Sequence, residues 1–204
     1  IKNLENGIST SVKTGLINFD EFTGGFENTE LNLIAARPSM GKTTLAIALA
    51  KRFMFNSKIV HFFTLEMTRK QIINKFVADD LGIDYKNIKR GNLTKDQLEE
   101  VLLSYDLYDN HPYLIVDELP EQSLSSFYRA VKSVKADIRI FDYLQLMYLD
   151  GEIKKKAGNR EQEVSEISKA FKRIAKEINN PIIALCQLSR AVESRANKRP
   201  QLSD

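Results

Sequence analysis

The 204-residue chain is 43% apolar and 28% charged, a globular balance that excludes disordered, collagen-like and coiled-coil classes, and it is long enough to bury about 70% of its unfolded surface without staples. One cysteine (Cys186) and two histidines (His61, His111) exclude an intrachain disulfide framework and argue against a Cys/His zinc site, and no apolar run reaches the roughly 18–20 residues of a membrane span. The net charge of +3 divides into −2 over residues 1–150 and +5 over residues 151–204, which fits either a polyanion partner for the second part or a solvated basic helix face.

The chain opens at Ile1, without an initiator Met, on a polar, acid-containing segment. A piece of a longer, reducing-compartment protein is therefore expected, with no signal or transit peptide. Leu31–Ala36 reads as a short buried strand, followed by a turn and a helix from about Thr43 to Phe55. Residues 58–64 (Lys-Ile-Val-His-Phe-Phe-Thr) form the next strand by their β-branched and aromatic content. Thr68 with Gln71 forms a capping box, opening a helix with Ile72, Ile73, Phe76, Val77 and Leu81 on one face. Thr94 with Gln97 repeats the box ahead of a stripe at Leu98, Val101, Leu102 and Tyr105. Strand 113–116 precedes a helix over 123–134, with Leu124, Phe127, Tyr128, Val131 and Val134 inward, and strand 138–142 follows. Asn159 and Gln162 cap a long helix carrying Val164, Ile167, Phe171, Ile174, Ala175 and Ile178, which stops before Pro181. Strand 182–187 closes the series. Strands apolar on both faces, alternating with helices, predict an α/β fold: a mostly parallel sheet with helices on both faces and ligands at the carboxyl ends of the strands.

The first strand runs into Ala36, Arg37, Pro38, Ser39, Met40, Gly41, Lys42 and Thr43, with Thr44 next. This is the phosphate-loop pattern G-x-x-x-x-G-K-[ST] with Ala at the first glycine, in its proper strand–loop–helix context. Successive backbone N–H groups would form a nest for phosphate oxygens at a helix N-terminus, Gly41 letting the backbone approach closely. Lys42 would reach the β- and γ-phosphates and the Thr43 hydroxyl would coordinate Mg²⁺. The pattern predicts nucleoside triphosphate binding, with ATP and Mg²⁺ as ligands; the competing reading is a Gly-Lys-Thr at an ordinary helix start.

Hydrolysis requires one carboxylate near the metal and another that orients the attacking water. Glu66, Asp117-Glu118 and Asp142 all follow strands. Asp117-Glu118 would supply both acids from one strand, whereas Asp142 would need Glu66 as a partner. Residue types alone leave both options open, and each acid could also be an exposed carboxylate at a strand end.

The segments Ala35–Thr43, Leu65-Glu66-Met67, Asp142–Met147 (Asp-Tyr-Leu-Gln-Leu-Met) and Gln187-Leu188-Ser189-Arg190 resemble successive motifs of the DnaB-type replicative helicases in order and spacing, as do Thr14-Gly15 and Thr23-Gly24-Gly25-Phe26 ahead of the loop. The resemblance covers essentially the whole chain. It implies a RecA-like P-loop ATPase domain over residues 11–204, preceded by the end of a linker over 1–10, from a hexameric ring that translocates on single-stranded DNA at the replication fork. It further implies that Glu66 is the water-activating base, that Asp142 holds Mg²⁺, and that Gln187 senses the γ-phosphate. Asp117-Glu118 then falls to a structural role. Lys75 stands where members often carry Arg and receives no assignment. Primase and a helicase loader are the implied partners, with no membrane, in a cytoplasmic, nucleoid- or replisome-associated setting. The family's arginine finger and main DNA loop would lie beyond Asp204, although Arg190, Arg195 and Arg199 stand near the end.

The segment 150–160 contains Lys154, Lys155, Lys156 and Arg160 between a strand and a capped helix. It is a candidate for backbone contacts to single-stranded DNA, or else a solvated surface loop. Two rival readings stand beside it: in the same fold, a RecA/RadA-type recombinase, whose members lack the Asp-Tyr-Leu-Gln-Leu signature; and, from a different class, a non-motor ATP-dependent ring protein.

Overall fold

The structure, a computed structural model, describes residues 11–119, 121–150 and 159–188. Strands β3 (Leu31–Ala36), β4 (Val60–Thr64), β5 (Leu114–Glu118), β6 (Ile138–Asp142) and β7 (Ile182–Gln187) form one parallel sheet in the order β3-β7-β6-β4-β5. Because all five run the same way, their carboxyl ends share one edge. A two-stranded antiparallel pair, β1 (Ser11–Val12) and β2 (Phe26–Glu27), encloses helix α1 (Ile17–Thr23) ahead of the sheet.

Alternation along the central strands sends neighbouring residues to opposite cores. Phe62, Ile140 and Ile183 pack with α2 (Lys42–Phe55), α3 (Arg69–Leu81) and α5 (Lys95–Asp109). Phe63, Phe141 and Ala184 pack with α6 (Leu124–Ser133) and α7 (Arg160–Ile178), where Phe127 and Phe171 stack at 4.4 Å between ring centroids. The doubly covered parallel sheet expected from the alternating pattern is what forms. Both capping boxes form as well: the Gln71 N–H donates to Thr68 Oγ1 and the Thr68 N–H to Gln71 Oε1, and Thr94 and Gln97 exchange the same pair.

Three expectations are corrected. β3 is an edge strand rather than a fully buried one, with Leu33 54% exposed, because among the described residues it pairs only with β7. The stripe on α5 is half right: Val101 is buried and Tyr105 packs on the core, joined by Tyr108, whereas Leu98 and Leu102 face outward. This helix carries two adjacent apolar stripes and only one meets α3, so periodicity alone could not choose. Tyr128 on α6 is likewise exposed, its hydroxyl donating to Glu177 at 2.7 Å.

Two short helices lie outside the pattern expected from sequence. α4 (Tyr85–Arg90) is capped by Asp84, which accepts the Lys86 N–H, and ends at Gly91 with φ +69°. α1 is held by Asp20, which accepts N–H groups from Thr14 and Gly15 and the Thr14 hydroxyl, all within 2.9 Å. Gly25 (φ +88°) closes this unit against β1, since a Cβ there would lie 2.7 Å from the Val12 carbonyl oxygen.

Candidate functional site

The β3–α2 connection sits at the carboxyl edge of the sheet. Ser39 (φ +62°) and Gly41 (φ +84°) both adopt left-handed backbone, and Gly41 is the N-cap of α2. Gly41 pays no Cβ penalty in this conformation, whereas Ser39 carries strain. The loop walls a cleft of about 400 Å³ together with residues from neighbouring strands. Ala36, Arg37, Pro38, Ser39, Gly41, Lys42, Thr43 and Thr44 line it from the loop and helix, Glu66 from the end of β4, and Gln187 from the end of β7. Met40 is not among the lining residues; its side chain is 71% exposed.

Asp142 lies beneath the loop at the end of β6 and is 1% exposed. Its Oδ2 accepts a 2.6 Å hydrogen bond from the Thr43 hydroxyl, and its Oδ1 lies 3.7 Å from Lys42 Nζ. Among the described residues Oδ1 has no hydrogen-bond donor, an uncommon state for a buried carboxylate oxygen. Lys42 Nζ also sits 3.8 Å from the centre of the Tyr143 ring, a cation–π contact. Burial pulls the Lys42 ammonium below its ordinary pKa, outweighing the opposing pull of Asp142 and Glu66. An anion entering the cleft would therefore meet a partly desolvated cation whose charge is favoured by its arrival.

The second pair of acids is engaged elsewhere. Asp117 faces His61, 3.4 Å from Nε2, and Glu118 accepts the backbone N–H of Arg69 at the start of α3. The Arg69 guanidinium in turn donates to Asp109 and to the Val116 and Asp109 carbonyls, so this edge is a packed junction of β5, α3 and α5. Neither Asp117 nor Glu118 lines the cleft.

Two residues without a sequence-derived role border the site. Lys75 lines the cleft from α3, with its ammonium 5.0 Å from the centre of the Tyr85 ring. Its signal was the basic residue nine positions after Glu66. Tyr143 lies beneath Lys42; in sequence it belongs to the Asp142–Met147 motif without a role of its own. Among the proposed DNA contacts, Lys154, Lys155 and Lys156 lie outside the described residues, as do the linker residues 1–10. Arg160 opens α7, where its guanidinium donates to the Gln145 and Met147 carbonyls at 2.8 and 2.6 Å and pairs with Glu163.

For a divalent cation, the arrangement offers one buried carboxylate, with one oxygen lacking a donor among the described residues, beside the Thr43 hydroxyl, whose hydrogen that carboxylate engages, leaving the hydroxyl oxygen's lone pairs to a cation. Mg²⁺ commonly binds through one or two such groups and completes its shell with phosphate and water. The residues present fit that ion. Among the described residues, no helix is long and apolar enough to cross a membrane.

The sequence profile described as the DnaB-like helicase C terminal domain matches residues 11–204. The chain is similar to the replicative DNA helicase DnaC of Bacillus subtilis, 36% identical over 211 residues, covering all of this chain and 46% of that protein. Among solved structures it is similar to an ATPase domain, with TM-score 0.84 and 31% identity, covering all of this chain and 73% of that one. It is equally similar to a DnaB-like replicative helicase studied with its interactions with primase, at TM-score 0.84 and 30% identity, covering 51% of that chain. It thus spans less than half the length of the Bacillus relative. With the profile matching residues 11–204 and relatives and solved structures 30–36% identical over the whole chain, the chain belongs to the DnaB-like helicase C-terminal domain family.

Proposed function

We propose that this chain is the ATP-hydrolysing motor domain of a replicative DNA helicase, using ATP with Mg²⁺ to move on single-stranded DNA and unwind duplex as a homohexameric ring. The observation that carries this reading is the convergence on one cleft of the phosphate loop, Glu66 and Gln187, above an Asp142 bonded to Thr43. Lys42 offsets charge on the β- and γ-phosphates, and the loop N–H groups hold the phosphate oxygens. Thr43 and Asp142 are the residues that would hold Mg²⁺, which when bound supplies neutralisation of phosphate charge. Glu66, across the cleft, orients and deprotonates the attacking water. Gln187, on the strand beside the loop, reads whether a γ-phosphate is present. Lys154, Lys155 and Lys156 contribute salt-dependent contacts to the DNA backbone. Arg160 contributes less directly, since its guanidinium is committed to carbonyls and Glu163.

Primase and a helicase loader are the proposed protein partners, in the cytoplasm at the replisome; the similarity to a helicase studied with primase supports the first. The deciding experiment measures ATP hydrolysis by the intact protein with and without single-stranded DNA, then fork unwinding. DNA-stimulated hydrolysis with unwinding supports the motor. Strand exchange without unwinding would make it a recombinase, and slow hydrolysis indifferent to DNA would make it a non-motor ring.

A further inference from the structure

β7 and β6 are paired through Phe141 and Ala184, after which β6 ends and the chain turns into a 3₁₀ segment at Leu144–Leu146. β7 runs on to Gln187, and among the described residues no strand pairs with it on that side beyond Ala184. The side chain of Gln145, within the 3₁₀ segment, fills the gap: its Nε2 donates to the Gln187 carbonyl and its Oε1 accepts the Gln187 N–H, each at 3.0 Å. A primary amide presents the same donor–acceptor pair as a peptide unit, so Gln145 acts as a one-residue substitute strand. On its other side Gln187 pairs with Ala36, and the Leu188 N–H donates to the Ala36 carbonyl at 3.0 Å. Gln187 is therefore clamped between the first residue of the phosphate loop and the segment leaving Asp142. Gln145 is itself held from behind, its carbonyl accepting from Arg160.

From this two-bond clamp we infer that Gln145 is a positioning residue for hydrolysis, setting where the Gln187 side chain stands in the cleft without touching nucleotide itself. The inference rests on the proposed motor reading. Displacing a catalytic-site group by about 1 Å can cost a hundredfold in rate, so the effect falls on turnover rather than on nucleotide binding.

The test compares the intact wild-type protein with Gln145→Ala, Gln187→Ala, their double variant and Gln145→Glu, measuring kcat, KM for ATP, affinity for a fluorescent ADP analogue, and thermal unfolding. Gln145→Ala is expected to lower kcat roughly 10–100-fold with ADP affinity unchanged. The double variant should be no slower than Gln187→Ala, because positioning an absent side chain has no further effect. Gln145→Glu keeps the side-chain length and the acceptor for the Gln187 N–H but turns a carboxylate oxygen toward the Gln187 carbonyl. Its deficit relative to wild type should shrink as pH falls and the carboxyl gains a proton to donate. Losses that multiply in the double variant, a wild-type kcat in Gln145→Ala, or a Gln145→Glu deficit indifferent to pH would each overturn the inference; the last keeps the test decisive should Gln145→Ala fail to fold. A wild-type protein without ATPase activity would instead fell the motor reading itself, and this inference with it.

Discussion

The Thr43 hydroxyl donates a 2.6 Å hydrogen bond to Asp142 across 99 residues of sequence. The first turn of the helix after the phosphate loop is thereby tied to the end of the strand that carries the buried acid. Hydrogen bonds to charged acceptors contribute about 1.5–3 kcal/mol each, and this one fixes the two groups expected to share a metal ion.

Replacing Lys42 with Ala removes the cation that faces both the cleft and Asp142. ATP turnover is expected to fall by at least about a hundredfold, with nucleotide affinity lost as well. Equilibrium binding of a fluorescent ATP analogue, beside steady-state hydrolysis, checks this; unchanged values would remove the cleft from consideration as the phosphate site.

Asp142→Asn keeps an acceptor for the Thr43 hydroxyl but loses the charge that a cation needs. The Mg²⁺ concentration for half-maximal hydrolysis should rise about tenfold or more, since second-sphere and ligand changes of this kind commonly cost 10–100-fold in metal affinity. A magnesium titration of hydrolysis at saturating ATP measures it, and superimposable curves would contradict the assignment.

Glu66→Gln is expected to bind ATP normally while hydrolysis drops about 10²–10⁴-fold, because the amide keeps the shape but accepts no proton. Glu118→Gln, which still offers an oxygen to the Arg69 N–H, should hydrolyse at the wild-type rate and lose at most about 0.5 kcal/mol of stability at the helix terminus. The reverse pattern in the intact protein would move the catalytic acid to β5.

His61 is fully buried, its ring centroid 4.0 Å from that of Phe63 in a tilted contact, with Asp117 and Arg139 as its charged neighbours. Burial holds its pKa below the ordinary value of 6.5, against the opposing pull of Asp117. The folded state thus prefers the neutral ring, so its contribution to stability is complete above pH 6.5 and declines as pH falls below it. Denaturation midpoints measured between pH 7.5 and 5.5 should fall, and His61→Phe should flatten the slope. Burial also holds His111 down, so some slope should persist.

Most of the site was legible because phosphate chemistry demands a contiguous pattern, and Ala36 to Thr44 is contiguous. The strands at 138–142 and 182–187 were legible for a related reason: both are β-branched- or apolar-rich, Arg139 aside, and end at polar residues. What escaped had its partners far away in sequence. Gln145 reads as one polar residue among apolar neighbours until Gln187 is placed 3.0 Å away. Composition alone left Asp117-Glu118 and Glu66 with Asp142 both open, because strand order leaves no mark on it; the motif resemblance, not the residue types, pointed to the second pair. The outward leucines of α5 misled for a different reason, since periodicity records that a face is apolar but not whether anything covers it. Helix α4 was missed although Asp84 and Gly91 bracket it, because six residues carry too little periodicity to register.

The pairing of β3 with β7 joins Leu31–Ala36 to Ile182–Gln187, about 150 residues downstream. At ribosomal rates of roughly 5–20 residues per second, some 8–30 s separate synthesis of the loop's strand from synthesis of its neighbour. During that interval the Gly-Lys-Thr segment exists, but the wall formed by Gln187 does not, and bound nucleotide has nothing complete to stabilise. Nascent chains halted before residue 182 should therefore gain no protease resistance from ATP, whereas chains released past residue 188 should. Ligand protection would arrive as a late, single step in the life of the polypeptide.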